Sequence, residues 1–278
     1  MSAMLATVSA AAPGPRLKSQ RQGHVMVLTL DDPANRNALQ GEDLFRAFEK
    51  AAREANQDLS VRCVVLTGAG LAFGSDGNVR EMQERKGMFG GAPQQIAEEY
   101  CNGIQRIPRA LLGLDVPTIA AVNGPAVGAG CDLACMCDLR VASERAVFAQ
   151  NFVKLGIVPG DGGAWLLPRV IGYPRAARMA FTGEMIGAEE ALRLGLVSEV
   201  VPHAKLMDTA LQLANSIAAN PPHVLRWTKR LLRQAQNERL DTILTMSASF
   251  QALAHQTHDH AEAVAALLEK RAPQFEGR

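Results

Sequence analysis

Two turns rich in small residues carry the positions where chemistry could take place. The first covers residues 68–79 after the apolar run 63–67, and the second covers residues 123–130 after the apolar run 118–122. Small residues let a ligand approach the main chain, and a helix that begins after a turn leaves backbone N–H groups without partners. Two such turns placed side by side could aim two N–H donors at one oxygen, which stabilises an oxyanion in acyl or enolate chemistry.

Two aspartates follow these turns closely enough to serve as acid or base groups. Asp132 falls in the first turn of the helix predicted from residue 128, and Asp161 stands between glycines in the loop 159–163. Each also has a structural interpretation, as a charge that favours a helix N-terminus or as a capping or turn residue. In the functional interpretation, each is a proton-transfer group beside the oxyanion donors. Asp76, between Ser75 and Gly77, is interpreted as a turn residue.

Other kinds of site have weaker support. The stretch 67–70 follows a strand as a dinucleotide-binding turn does, but it lacks the G-x-G-x-x-G spacing. Helical spacing does not bring His255, His258 and His260 to one face, and no G-x-S-x-G elbow of a serine hydrolase occurs. The cysteines at 131, 135 and 137 have apolar neighbours and no nearby histidine, so we predict buried thiols rather than metal ligands.

Composition excludes several classes of partner. The 278 residues include 29 basic and 28 acidic side chains, a balance that is not typical of a nucleic-acid binder. No apolar run reaches the length of a transmembrane helix, so we expect no membrane partner. The odd number of cysteines, five, indicates reduced thiols and a cytoplasmic protein.

The pattern of elements predicts an α/β protein. We predict strands at 24–30, 62–67, 118–122 and 139–142, helices at 41–56, 94–113 and from 128, and a flexible loop at 83–93. Strands and helices alternate up to about residue 200, and the pattern beyond Pro202 is helical. The predicted organisation is therefore a disordered tail over 1–20, an α/β core over 21–200 and a helical region over 201–278.

Ordered motifs along nearly the whole chain, roughly residues 20–275, resemble the enoyl-CoA hydratase/isomerase, or crotonase, family. The matching stretches lie at residues 37–39, 72–82, 119–124, 130–138, 155–160, 181–183, 195–197 and 268–271. The resemblance implies a crotonase-type spiral of ββα turns with an α-helical C-terminal region. It also implies assembly through that region as a homotrimer or as a homohexamer of paired trimers.

The resemblance further implies an acyl-CoA substrate, so coenzyme A would be part of the substrate and no separate cofactor is expected. By motif position, the backbone N–H groups of Gly77 and Ala129 would hold the thioester oxygen as it becomes an enolate. Backbone donors require no particular side chain, so an alanine at 129 suits this role. Residues expected to contact the coenzyme A part are Arg36, Asn78, Val79, Arg80 and Lys270.

The chain departs from the family where the proton-transfer groups are expected. The two glutamates of typical hydratases fall at Asp132 and Phe152, and phenylalanine cannot transfer a proton. Asp161 could return a second carboxylate to the pocket from another direction. We therefore expect an enoyl-CoA hydratase or isomerase that works through a thioester enolate. The alternatives are a catalytically weak acyl-CoA binder and a hydrolase of a thioester or carbon–carbon bond.

Overall fold

The computed structural model describes residues 16–77 and 79–278. Most of the expected tail, residues 1–15, lies outside the described residues, as does Asn78. The prediction of a tail to residue 20 is wrong at its end, because Leu17–Gln22 form a strand antiparallel to Val25–Leu30. Only Leu17 of this edge strand is buried, so it shows no apolar run, and its pairing comes from the neighbouring strand.

The bounds of the elements agree with most of the sequence-based expectations. The strands of the described residues are β1 Leu17–Gln22, β2 Val25–Leu30, β3 Cys63–Gly68, β4 Thr118–Val122, β5 Ala126–Val127, β6 Leu139–Ser143, β7 Val147–Ala149, β8 Met185–Gly187 and β9 Glu199–Val201. The helices are α1 Glu42–Gln57, α2 Val79–Glu84, α3 Pro93–Asn102, α4 Arg106–Leu112, α5 Ala129–Met136, α6 Gly163–Ile171, α7 Tyr173–Thr182, α8 Ala188–Leu194, α9 Leu206–Ala218, α10 Pro222–Gln234, α11 Leu240–His255 and α12 His258–Glu269.

The larger sheet runs in the order β1-β2-β3-β4-β6-β9 and is parallel except for β1. Apolar side chains pack against both of its faces, and all five residues of β4 are buried. Such burial explains why the central strands read as continuous apolar runs. A small second sheet of β5, β7 and β8 lies beside the start of α5 and carries the second glycine turn.

Two local expectations are corrected by the structure. The helix predicted over 94–113 is two helices, α3 and α4, separated at Gly103, where a Cβ would lie 2.4 Å from the Glu99 carbonyl oxygen. The predicted loop 83–93 contains the end of α2 and a 3-10 turn at Gly87–Phe89. In both places glycines interrupt regular structure, but their number alone does not show where each helix ends.

The C-terminal region is helical, as the sequence predicts, although α9 packs against the sheet as part of the core. Helix α10 is anchored by the buried Arg226, whose guanidinium donates to four main-chain carbonyls between residues 55 and 61. Helix α11 contains no buried residue, and its Phe250 ring stacks on Trp227 of α10. None of the described helices combines the length and the apolar character needed to cross a bilayer.

Candidate active site

The two glycine turns meet at the N-terminus of α5. Gly74 pairs with Ala126 as an isolated bridge, and the Val127 N–H donates to the Gly74 carbonyl oxygen at 3.2 Å. A Cβ at Gly130 would lie 2.0 Å from that same oxygen, so no other residue type fits without movement of the main chain. The close approach of the two turns that the small residues indicated is therefore present.

The N–H of Ala129, the first residue of α5, is aimed into this junction and already has an acceptor. Asp76 of the first turn accepts its hydrogen bond through Oδ1 at 2.6 Å. The carboxylate lies so close over Gly128 that a Cβ there would be 1.9 Å from Asp76 Oδ2. The interpretation of Asp76 as a turn residue is thus incomplete, because its side chain occupies one of the two expected oxyanion donors.

Burial raises the pKa of Asp76 to about 6, and the charge of Asp161 acts in the same direction, whereas the hydrogen bond from Ala129 opposes it. No donor of the described residues reaches the other carboxylate oxygen, Oδ2. The N–H of Gly77, the second expected oxyanion donor, has no protein acceptor within the described part of the chain. The two donors therefore differ, since one is occupied by a side chain and the other is not.

Asp132 and Asp161 come together as two buried carboxyl groups. The exposed fractions of these residues are 0% and 2%, and the charge of Asp161 acts on the pKa of Asp132. Burial and the charge of Asp161 raise the pKa of Asp132 well above its usual range. Burial also raises the pKa of Asp161. Two buried like charges that act on each other are costly to carry together, which favours the neutral form of Asp132.

The partners of this pair leave one of its members open to a ligand. The Gln150 amide donates to Asp132 Oδ1, and Gly163 at the start of α6 makes room for the same carboxyl group. No donor of the described protein reaches either oxygen of Asp161. Asp132 is consequently held in place, whereas Asp161 presents oxygens that a substrate hydrogen can meet.

The Tyr100 side chain lies beside the acidic groups of the site. The Tyr100 ring packs over Gly160, where a Cβ would lie 2.6 Å from a ring carbon. Burial and the charges of Asp161 and Asp76 raise the pKa of the Tyr100 hydroxyl. Phe152 is 5% exposed in a 3-10 turn at Asn151–Leu155, and its side chain has no titratable group. The site is therefore apolar and acidic, which favours chemistry that moves protons with little free water.

The residues expected to contact coenzyme A are not gathered into one cluster. Arg36, Val79 and Arg80 are exposed, and they lie near the first turn, which is bridged to the Arg36 segment between Ala38 and Ser75. Asn78 is outside the described residues. Lys270 is exposed at the end of α12, and no described hydrogen bond joins it to the carboxyl pair.

Sequence reasoning missed three side chains of the site. Gln150 and Tyr100 were assigned no role, because their partners are 18 residues away or more and nothing local distinguishes them. The signal available for Asp76 was a carboxylate in the middle of a turn proposed to hold an anion. Such a turn is an unfavourable place for a second negative charge, which could have marked Asp76 as functional.

The structure defines an α/β enzyme fold with backbone donors at a helix N-terminus next to a buried carboxyl pair. Residues 20–278 match the family model described as enoyl-CoA hydratase/isomerase. The chain belongs to this family and is an enzyme of the hydratase/isomerase class. Its mixed α/β architecture with a helical C-terminal region is the crotonase fold.

Similar proteins carry out more than one reaction. The chain is 38% identical over 258 residues to 1,2-epoxyphenylacetyl-CoA isomerase of Escherichia coli, covering 91% of this chain and 95% of that protein. It is 37% identical over 258 residues to 2,3-dehydroadipyl-CoA hydratase of the same organism, covering 93% and 97%. The crystal structure of enoyl-CoA hydratase from Bacillus anthracis matches with a TM-score of 0.87 and 32% identity, covering 95% of this chain and all of that one.

Proposed function

We propose that this enzyme moves a carbon–carbon double bond within an enoyl-CoA thioester, through an enolate. The observation that carries the proposal is the buried Asp132–Asp161 pair, in which the pKa of Asp132 is raised by burial and by the charge of Asp161, while no donor of the described residues reaches Asp161. The names of the relatives support a CoA thioester as substrate, but they include both an isomerase and a hydratase. The choice between the two reactions therefore rests on the carboxyl groups.

The donors of the two turns would act on the thioester oxygen. N–H groups of Gly77 and Ala129 placed around that oxygen stabilise the negative charge that develops when a proton leaves the adjacent carbon chain. The Asp161 carboxylate takes a proton from one carbon, and the electron pair of that C–H bond moves into the enolate. A carboxyl of the pair then returns a proton two carbons away, so no atom is gained or lost.

Isomerisation suits this pair better than hydration. One carboxylate can remove a proton and return it, whereas hydration also needs a group that activates water. Here both carboxyl groups are buried, the charge of Asp161 raises the pKa of Asp132, and Phe152 supplies no acid or base. A hydratase would also need a water molecule positioned by groups outside this pair.

A substrate panel tests the proposal. Short, medium and aryl 3-enoyl-CoA esters are compared with crotonyl-CoA, while hydration and double-bond position are followed separately. We expect isomerisation to be the faster reaction on the best substrate. Faster hydration of crotonyl-CoA would make the enzyme a hydratase, and release of free coenzyme A would make it a hydrolase. Binding without turnover of any ester would identify a weak acyl-CoA binder.

The coenzyme A part would lie along the first turn. Exposed Arg36 and Arg80 place positive charge there beside Val79 and the position of Asn78, and cations pair well with phosphates. Lys270 would contribute only if the end of α12 approaches from elsewhere, including from a neighbouring subunit. Calorimetry with acetyl-CoA tests this assignment, with Arg36→Ala and Arg80→Ala expected to weaken binding and no binding at about millimolar ligand counting against it.

We also propose a homotrimer or a dimer of trimers in a reducing, cytoplasmic compartment. Large apolar side chains of α11 and α12 are exposed, and they would be covered by a neighbouring copy. These side chains are Leu240, Leu244, Leu253, Leu267 and Leu268. The five free thiols suit a reducing compartment. Light scattering that finds a stable monomer at about micromolar concentration would contradict the assembly.

A further inference from the structure

Asp76 makes a contact that the proposed reaction does not use. Its Oδ1 accepts the Ala129 N–H at 2.6 Å, which is the length of a strong, charge-assisted hydrogen bond. In the proposed function that same N–H must bind the thioester oxygen, so Asp76 and the substrate compete for one donor. This inference rests on the proposed function and concerns how the site admits its ligand.

The position of the carboxylate makes the competition steric as well as electrostatic. An added Cβ at Gly128 would come within 1.9–2.1 Å of both oxygens of Asp76, so the group lies directly against the start of α5. A thioester oxygen at hydrogen-bond distance from Ala129 would overlap it. An ionised Asp76 left beside an enolate would also repel the charge that the donors are meant to stabilise.

We propose that Asp76 is a gate on the oxyanion donor, because its carboxylate accepts the hydrogen bond of the Ala129 N–H in the free enzyme. When Asp76 is protonated, it gives up this hydrogen bond, and the thioester oxygen accepts the Ala129 N–H in its place. The proton comes from solvent and converts the carboxylate to the neutral acid, with no other bond made or broken. Thioester binding is therefore linked to proton uptake at this residue.

The surroundings of Asp76 favour that proton uptake near neutral pH. The titratable groups of the described residues that act on it or that it acts on are Asp161 from the loop before α6 and Tyr100 from α3, while α5 contributes the Ala129 N–H. No cation is among the causes that shift its pKa, which burial raises to about 6. Loss of the negative charge would therefore be inexpensive in this cavity.

Comparing the affinities of two ligands distinguishes an effect of the gate from an effect on binding of the coenzyme A part. Butyryl-CoA has the thioester carbonyl, and S-butyl-CoA is a thioether that lacks it, so only the first needs the Ala129 N–H. Their affinities for the full-length enzyme are measured by calorimetry at about pH 8 and about pH 5.5, on either side of the raised pKa. Dividing one affinity by the other removes the titration of the coenzyme A phosphates, because both ligands share it.

At about pH 8 we expect Asp76→Ala to bind butyryl-CoA about tenfold more tightly than the wild type, with S-butyl-CoA unchanged. In the wild type, the thioester-to-thioether affinity ratio should rise by a similar factor as the pH falls to about 5.5. That rise should be lost in Asp76→Ala and in the isosteric Asp76→Asn, neither of which titrates at this position. Asp208→Ala, at an exposed side chain of α9, is the control and should behave as the wild type.

A wild-type ratio that is the same at both pH values, or equal ratios in the wild type and Asp76→Ala at about pH 8, would overturn the gate while leaving acyl-CoA binding intact. If neither ligand binds to any of the proteins, the proposed function fails and the gate fails with it. If the variants do not fold, the pH series on the wild type alone still decides, since a flat ratio is incompatible with a gate.

Discussion

Helix α5 has an aspartate near each end, and the two have opposite electrostatics. Asp132 in its first turn has a pKa well above the usual range, because it is buried beside Asp161. Asp138, two residues past its last turn, has a lowered pKa, because the cations Lys229 and Arg233 lie 2.7 and 3.1 Å from it. The helix dipole alone would favour charge at Asp132 and oppose it at Asp138. At both ends, neighbouring groups override the dipole.

The difference between the ends follows from the number of donors. Asp138 accepts from the Thr118 N–H at 2.8 Å and the Thr118 hydroxyl at 2.9 Å in addition to the two cations. Asp132 accepts from the Gln150 amide, and no donor of the described residues reaches its second oxygen. A buried carboxyl with several donors is a structural anion, whereas one that faces another carboxyl can exchange a proton.

A cavity of about 970 Å³ lies at the Asp138 end. It is lined by the end of α5 together with residues of α6 and α10, and it does not include Asp132 or Asp161. Burial lowers the pKa of Lys229 there to about 8 despite its partner Asp138, which shows how fully that amine is removed from water. The size of a cavity is thus a poorer guide to the chemistry here than the arrangement of titratable groups.

The largest effect is expected at the carboxyl pair. Asp161→Asn and Asp132→Asn should each reduce turnover of the best substrate by about a hundredfold or more, because an amide cannot transfer the proton. The free energy of unfolding should stay the same or rise, since each change removes a buried like charge. Steady-state kinetics and urea unfolding measure the two quantities, with the exposed Asp208→Asn as control. Wild-type turnover in both variants would refute the carboxylate assignment.

The next largest effect is expected at Asp138, where a substitution should lower stability and leave turnover unchanged. Asp138→Asn should lower the free energy of unfolding by about 2 kcal/mol, because Lys229 remains buried without its counter-charge. This value is below that of a fully buried ion pair, since the Asp138 side chain is 28% exposed. Turnover per folded molecule should be unchanged. A large loss of turnover without a loss of stability would remove the distinction between the two ends.

The sequence predicted the elements around the site better than the contacts within it. Apolar runs located β2, β3 and β4, and small residues indicated that the two turns meet, because both signals are local. Asp132 and Asp161 were proposed as proton-transfer groups from turn position and the family resemblance, and this role stays a prediction. The contact of Asp76 with Ala129 spans 53 residues, and no local pattern encodes it. The polar strand β1 was missed for a related reason, since its order comes from pairing with β2.

Stability as a function of pH should separate the two ends by sign. The lowered pKa of Asp138 adds stability above the unfolded value of about 3.9, and this is lost as pH falls through the folded pKa. The raised pKa of Asp132 acts in the opposite way. At high pH the buried charge lowers the free energy of unfolding, and this destabilisation disappears as pH falls through the folded pKa toward the unfolded value of about 3.9.

Urea unfolding between about pH 7 and about pH 3 tests these signs. The stability deficit of Asp138→Asn relative to the wild type should shrink toward acid. Any stability advantage of Asp132→Asn over the wild type should also shrink over the same range. The difference in free energy of unfolding between variant and wild type therefore starts positive for Asp132→Asn and negative for Asp138→Asn. Slopes of the same sign in the two comparisons would show that the ends of α5 do not differ as described.

The smallest effect is expected at Gln150, whose amide is the side-chain donor to Asp132. Gln150→Met keeps the length of the side chain and removes the hydrogen bond that lowers the pKa of Asp132. Asp132 and Asp161 should then stay doubly protonated up to a higher pH, so the acid limb of the pH profile of turnover should shift to higher pH. Turnover at about pH 7 should fall about fivefold. Stability should not decrease, because the Gln150 carbonyl oxygen is itself buried without a partner. A profile that keeps its position while stability falls would mean that Gln150 only fills space, and Asp132 would then owe its pKa to Asp161 and burial alone.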